Sequence, residues 1–298
     1  MPELPDILLY LSALESRVVG QPIQRFRLAS PFLLRSVTPP LMAAEGRRVI
    51  ALRRLGKRIV FELDGGIFLV FHLMIAGRFR WRSSGAPIPA RLGLAAVDFP
   101  NGTLVLTEAG SKRQASLHVV EGETALARHN PGGLEVLDAS LDAFADALTR
   151  ENHTLKRALT DPRLFSGIGN AYSDEILHAA RLSPLKLTAQ LTADEVRRLH
   201  VAVQTTLRAW IERLQRDSAE SFPEKVTAFH AEMAVHGRFR KPCPVCGSPV
   251  QRIVYATNES NYCATCQTGG RLLADRSLSR LLKDDWPRRI EDLERAKV

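Results

Sequence analysis

Apolar positions at Ile7, Leu8, Leu11, Leu14 and Val18 recur at helical spacing and stop at Gly20, which predicts an amphipathic helix at the start of the chain. From about residue 22 to 135 the period shortens to two. Ile59, Phe61 and Leu63 alternate with other residues before Asp64-Gly65-Gly66, a hairpin turn signal, and Ile67 to Phe71 supply the returning strand. Asn101-Gly102 within "DFPNGTLVLTEAG" signals a second hairpin. This first part reads as an antiparallel sandwich or barrel preceded by one helix. "NPGGLEVL" at 130–137 interrupts the strand texture and reads as a linker. Helical spacing then dominates to about 225. Thr192 and Glu195 form a capping-box pattern ahead of Val196, Leu199, Val203, Leu207 and Ile211, a long amphipathic helix. A compact cysteine module follows from about 226. A tail from Gly270 carries Leu278, Leu281 and Leu282 as one apolar turn set, then Trp286-Pro287 and a charged helical end; packing on the body is the expectation for it. No internal repeat interrupts this order. The fold class is α+β and multidomain, with segments at 1–130, 131–225, 226–269 and 270–298.

Composition adds a partner class. The 298 residues carry 41 Lys+Arg against 32 Asp+Glu, a net charge of +9, which favours a polyanion because neutralised phosphates release counterions. "GRRVIALRRLGKRIV" and "GRFRWR" alternate basic with apolar residues. Such strands present a basic face either to a phosphate backbone or to solvent, and the pattern allows both. No apolar run approaches the roughly 18 residues of a spanning helix, and no signal peptide is visible. A cytoplasmic, nucleoid-associated protein without a membrane partner is the expectation.

Three stretches carry chemistry. Cys243, Cys246, Cys263 and Cys266 form C-x2-C-x16-C-x2-C, a spacing suited to four thiolates around one tetrahedral zinc, with disulfide pairing as the competing reading. Four protein ligands leave no open position, so the zinc would be structural, bracing a hairpin too small to fold alone. "LFSGIGNAYSDEILHAARLSP" places Gly167 and Gly169 around a turn and starts a helix near Asn170. A helix start of this kind attracts an anion such as a DNA phosphate, and Asn170 can donate to it; a tight helix connection without a ligand fits the motif equally. At the N-terminus, removal of Met1 before the small Pro2 leaves a secondary amine. An α-amino group titrates near pH ~8, so part of it is neutral and nucleophilic in a cell, and attack on an aldehyde-level carbon yields an iminium electron sink. This chemistry requires an exposed terminus beside a groove. Glu3 would serve as general acid or base. The bland alternative is that Pro2 and Pro5 stiffen the entry to the helix.

Together, "MPELPD", "LGKRIVFEL", "FHLMIAG", "SGIGNAYSDE" and "VHGRFRKPCPVCGSPV…NYCATCQ" resemble, in order and spacing, the formamidopyrimidine-DNA glycosylase/endonuclease VIII family of base-excision repair enzymes over residues 1–267. The resemblance implies a catalytic β-sandwich domain, a helix-two-turn-helix domain and a zinc-finger hairpin. It implies that Pro2 attacks C1′ of the damaged nucleotide, that Glu3 assists opening of the deoxyribose, and that Lys57 and Asn170 with Gly169 hold phosphates. The family flips the lesion out and fills the gap from the loop after the "HL" strand. Here Ile75 occupies the wedge position and Met74 stands one residue earlier.

Three departures stand out. Asn258 occupies the place of the arginine that normally clasps a phosphate from the zinc hairpin, retaining a donor but losing charge and fork geometry. "EAGSKRQASLHV" replaces the segment that probes the opposite base; Lys112 and Arg113 keep positive charge there but no aromatic wedge. Asp6 stands where the family has a glutamate, a catalytic carboxylate set back by one methylene. The expectation is a DNA glycosylase with abasic-site lyase activity, acting as a monomer on damaged DNA with one structural Zn2+. A DNA-damage or DNA-structure binding protein of weakened chemistry is the alternative, and a zinc-ribbon RNA-binding factor a third.

Overall fold

Leu4–Val18 forms α1, with Pro5 in its first turn, where the missing proline N–H costs no helical bond. Its buried stripe, Ile7, Tyr10, Leu14 and Val18, faces a β core. We describe a computed structural model covering residues 1–110, 112–218, 221–224, 226, 229–255, 258–274 and 288–295. Leu278, Leu281, Leu282 and Trp286-Pro287 lie outside these. The chain gathers into two compact units, Met1–Pro131 with Trp210–Ala228, and Gly132–Ala209 with Phe229–Val298. This partition differs from the four segments read along the chain. Phe222 and Val226 are buried in the β core of the first unit, so the stretch after the long helix returns there.

The first unit contains two four-stranded antiparallel sheets. One runs β1 (Arg25–Leu28), β6 (Gly93–Phe99), β7 (Gly102–Glu108), β5 (Gly77–Arg82); the other runs β2 (Val49–Leu55), β3 (Arg58–Leu63), β4 (Ile67–His72), β8 (Ser116–Glu121). The period-two pattern decides the faces. Ile59, Phe61, Leu63, Leu69 and Phe71 join Phe79, Val97, Phe99, Leu104 and Leu106 in one core with α1. Val60, Phe68 and Val70 pack on the opposite face with Leu126 of α2 (Glu123–Ala127). Leu63 pairs with Ile67 across Asp64-Gly65-Gly66. At the second hairpin Gly102 belongs to β7, paired with Phe99, and the turn is made by Pro100-Asn101. A Cβ at Gly102 would meet the Trp81 ring at 2.4 Å, so glycine serves packing there rather than the turn.

Part of the basic stripes is neutralised within the unit. Arg53 of β2 holds Glu62, with its Nε donating at 2.6 Å, and Glu123 at 2.7 Å. Arg80 and Arg82 of β5 converge on Glu224, Arg80 at 3.2 Å. Of the two readings of these strands, neither bare phosphate face nor simple solvation holds for these three arginines.

The second unit contains α3 (Leu141–Thr149), α4 (Leu155–Thr160), α5 (Asn170–Ala179) and most of α6 (Ala193–Asp217). The Thr192 and Glu195 capping box is present: Thr192 N–H donates to Glu195 Oε2 at 2.9 Å, and Glu195 N–H to Thr192 Oγ1 at 3.2 Å. Every residue from Ala171 to His178 is buried, which makes α5 the central element. β9 (Gln251–Tyr255) and β10 (Asn258–Tyr262) form the zinc-module hairpin, followed by α7 (Ala264–Thr268). Leu272 and Leu273 of the tail pack with Ile253, Tyr262 and Ile290 on this module. No helix of the described residues is long and apolar enough to cross a membrane.

Candidate functional site

Strand register builds the site in the first unit. Leu55 pairs with Arg58, Arg58 with His72 and His72 with Ser116. Three connections therefore meet at one end of this sheet: the Gly56-Lys57 turn, the His72–Gly77 loop and the segment after Glu108. The two-residue turn is allowed by Gly56 at φ 59°, and it sets Lys57 half-exposed at the tip. Burial, with Arg58 and Lys57 nearby, lowers the pKa of His72 to about 4, so this imidazole is neutral at cellular pH.

The His72–Gly77 loop is tightly folded. Gly77 N–H donates to Leu73 O at 2.9 Å, and a Cβ on Gly77 would stand 2.1 Å from that oxygen. Met74 takes a φ of 52° and is half-buried, while Ile75 is 65% exposed at the tip. Leu73 is buried. Ala109 N–H reaches Ala76 O at 3.4 Å, so the loop carrying Lys112 and Arg113 lies beside the one carrying Ile75. Both basic residues are exposed, and Arg113 donates to Arg91 O at 3.0 Å. The buried Glu108 carboxylate orders this second loop by accepting from Gln114 N–H at 3.0 Å and Ala115 N–H at 3.2 Å. No local pattern marks Glu108, because its partners lie six and seven residues ahead in a loop.

The N-terminus lies near this end of the sheet. Glu3 caps α1 and is 2% exposed, and its N–H donates to Asp6 Oδ2 at 2.8 Å in a reciprocal capping box. Asp6 thus reaches Glu3 through the backbone. Burial pushes its pKa up to about 7, against the opposing Glu3 hydrogen bond. Burial also lowers the pKa of the terminal amine of Met1; Glu3 opposes this, Arg78 adds to it, Asp6 opposes it and Lys57 adds to it. Arg78, which the sequence shows only as one basic residue of "GRFRWR", is therefore part of this neighbourhood, its guanidinium donating to Ile75 O at 3.0 Å. Pro2 itself is buried and Met1 half-exposed. The exposed imino terminus that the chemistry requires is not available while Met1 is in place, since the Pro2 nitrogen is then an unreactive amide.

The second unit carries the other candidates. Gly169 is the N-cap of α5, buried and extended at φ −134°, and Asn170 follows half-exposed at the first helical position. Lys156 Nζ donates to Asn170 O at 2.6 Å and to Asp174 Oδ1 at 2.5 Å. Asp174 also accepts from His236 Nδ1 at 2.8 Å, Ser260 Oγ at 3.1 Å and Asn261 N–H at 3.1 Å. Burial alone would raise its pKa; Lys156 and His236 hold it below the usual carboxylate range. Glu175 accepts from the N–H groups of Ala234, Val235 and His236 at 2.7–2.9 Å. The Asp-Glu pair of "NAYSDE" thus locks α5 to the zinc module, a role that the motif alone does not reveal.

Cys243, Cys246, Cys263 and Cys266 are free thiols whose Sγ atoms all lie within 4.8 Å of one another. Cys243 and Cys266 are 4.0 Å apart, and Cys246 and Cys263 3.4 Å. A tetrahedral zinc at about 2.3 Å from each sulfur needs sulfur pairs about 3.8 Å apart, so the four fit that ion. His178 Nε2 stands 3.3 Å from Cys243 Sγ, placed to donate to a thiolate. Asn258 opens β10 opposite Tyr255 at the hairpin end.

Comparison with known proteins yields one consistent likeness. The formamidopyrimidine-DNA glycosylase N-terminal domain model matches residues 1–113, its H2TH domain 133–221, and the zinc finger found in FPG and IleRS 240–269. Formamidopyrimidine-DNA glycosylase of Thermus thermophilus is 33% identical over 283 residues, spanning 91% of this chain and all of that protein. The enzyme of that name from Heliobacterium modesticaldum is 31% identical over 90% of this chain and all of its own length. The crystal structure of MutM (Fpg) from Thermus thermophilus superimposes with a TM-score of 0.76 at 33% identity, covering 89% of this chain and 98% of the other. Lactococcus lactis Fpg, solved in complex with DNA containing an abasic site, shares the fold with a TM-score of 0.78 at 24% identity, over 89% of this chain and 99% of that one.

Proposed function

The chain belongs to the formamidopyrimidine-DNA glycosylase family and is a DNA glycosylase with abasic-site lyase activity, and from that premise we propose that Pro2 is its nucleophile. Removal of Met1 leaves Pro2 with a secondary amine, the nucleophile, at a terminus flanked by Glu3, Asp6, Arg78 and Lys57. The nitrogen attacks C1′ of an extruded damaged nucleotide, and the base leaves with the electrons of the glycosidic bond. Opening of the sugar breaks C1′–O4′, with the proton for O4′ supplied through Glu3, and leaves an iminium on Pro2. The iminium acidifies C2′; loss of that proton expels the 3′ phosphate, and water then releases the amine.

The observation that carries this reading is the shared end of the sheet: Lys57, the Ile75 loop and the Lys112–Arg113 loop meet there, with the chain terminus close enough to respond to Lys57 and Arg78. Lys57 holds a phosphate beside the lesion. Ile75, exposed and apolar, fills the gap left by the flipped base, with Met74 supporting it. Lys112 and Arg113 face the opposite strand. Asp6 is a positioning residue, acting through the Glu3 backbone. Gly169 and Asn170 bind a second phosphate at the start of α5, and the zinc module contributes a third contact, Asn258 included. One structural Zn2+ on the four cysteines stiffens that module. Both residue sets come from one chain, which supports action as a monomer, and a DNA substrate supports a location with the nucleoid.

Borohydride trapping tests the proposal. Wild-type protein should form a covalent adduct with abasic-site DNA, while Pro2→Gly or an uncleaved N-terminal tag should abolish it. An unchanged adduct yield in either removes Pro2 from the mechanism. Tight binding by wild type with neither adduct nor strand scission would instead favour a protein of weakened chemistry.

A further inference from the structure

Position 258 lacks the arginine that the family resemblance places there, yet the zinc module is not short of positive charge. Between residues 240 and 269 it carries Arg240, Lys241 and Arg252 against a single acid, Glu259. Two of these converge on one aromatic ring. The Arg252 guanidinium lies 4.3 Å from the centroid of Phe239 and that of Arg240 5.2 Å. Both arginines are exposed and the ring between them is half-buried. Arg252 is exposed on the face of β9 opposite Ile253, which is fully buried in the module core, and its cross-strand partner Asn261 is held by Asp174 on that same face. A ring fixed in this way orients guanidinium planes while leaving their N–H edges for a bidentate acceptor.

Arg240 sits at φ 66°, a conformation that glycine adopts freely and other residues adopt at a cost. The backbone there is held by two reciprocal bonds, Arg240 N–H to Val250 O and Val250 N–H to Lys241 O, each 2.9 Å. The fold thus imposes the left-handed turn whatever residue occupies it. An arginine at this position makes the turn less favourable than glycine would, and it gains no ion pair there among the described residues. Arg252 has only Glu259, at 3.6 Å. Charge kept at a strained, unpaired position is informative, because folding alone would select against it.

We propose that Arg240 and Arg252, aligned by Phe239, form a phosphate clamp of the zinc module, on the hairpin face opposite position 258. The ligand is a backbone phosphate of the DNA strand that the enzyme grips. This rests on the glycosylase reading above and adds a contact to it. Phe239 is the positioning residue and the two guanidiniums make the contact.

The test is binding to a duplex containing a tetrahydrofuran abasic analogue, titrated over a range of salt, with wild type, Arg240→Gly, Arg252→Gln and the double variant. Arg240→Gly relieves the backbone cost, so it keeps the test open should Arg252→Gln disturb the hairpin; bound zinc reports the fold of each. Each single variant should bind roughly tenfold more weakly, with the slope of log K against log salt reduced by about one. Wild-type affinity and slope in Arg240→Gly or in the double variant overturn the clamp. If wild type still forms its borohydride adduct in that case, the glycosylase reading stands without the clamp. A wild type that neither traps nor prefers the abasic duplex overturns both.

Discussion

Asp6 is a single residue whose environment makes a measurable statement. Its carboxyl is buried, caps α1 through Glu3 N–H, and has a folded pKa of about 7 against an ordinary 3.8. Between those values the folded protein holds a proton that the unfolded chain has released. The resulting stabilisation is complete below about pH 4, declines as the pH rises through 7, and is absent above. Asp6→Asn keeps an oxygen to accept from Glu3 but cannot ionise. Thermal melts from pH 4 to 8 should therefore show wild type losing stability relative to Asp6→Asn as the pH rises, by several degrees at the alkaline end. Parallel curves would mean that Asp6 does not titrate in this window.

At the scale of elements, the loop between β4 and β5 is the most constrained part of the site. Gly77 is fixed by contact with Leu73 O at 2.1 Å from a would-be Cβ, not by its φ. Gly77→Ala should shift the loop and cost about 2–4 kcal/mol of stability, measured by urea unfolding. It should also weaken excision more than binding to an abasic duplex, because an abasic site has no base to extrude. A variant as stable and active as wild type would show that the loop gives way easily. The elements themselves are largely legible in the sequence. Helical spacing locates α1 and α6, and period-two alternation locates β3 and β4, because both patterns report a local periodicity. The turn at Pro100-Asn101 falls one residue before its sequence signal, since Gly102 answers to the Trp81 ring, a neighbour remote in sequence.

Over the whole molecule, the zinc ligands are readable from spacing alone, and the N-terminal and helix-start candidates from residue chemistry together with motif order. Glu108, Arg78, Asp174 and Glu175 are not, since each acts on partners that only the fold brings near. Glu224 is the clearest instance: nothing near residue 224 announces that its carboxylate neutralises two arginines of β5. The basic stripe of β5 is accordingly less available to a phosphate backbone than its run of arginines suggests.

The return of residues 210–228 to the first unit makes its β core discontinuous in sequence. Phe222 packs against Tyr10 with ring centroids 6.0 Å apart, and Val226 completes the same cluster. A fragment ending at Pro131 should therefore expose apolar surface, bind a hydrophobic dye and aggregate, and supplying 210–228 on a linker should reverse this; a well-behaved monomer from the fragment alone would refute the dependence. Gene fusions, truncations and nicked forms of this enzyme must consequently be designed around an interleaved chain. During synthesis the first unit cannot finish folding until residues 210–228 have left the ribosome, so it waits on the stretch of the second unit from 132 to 209 that is made before them.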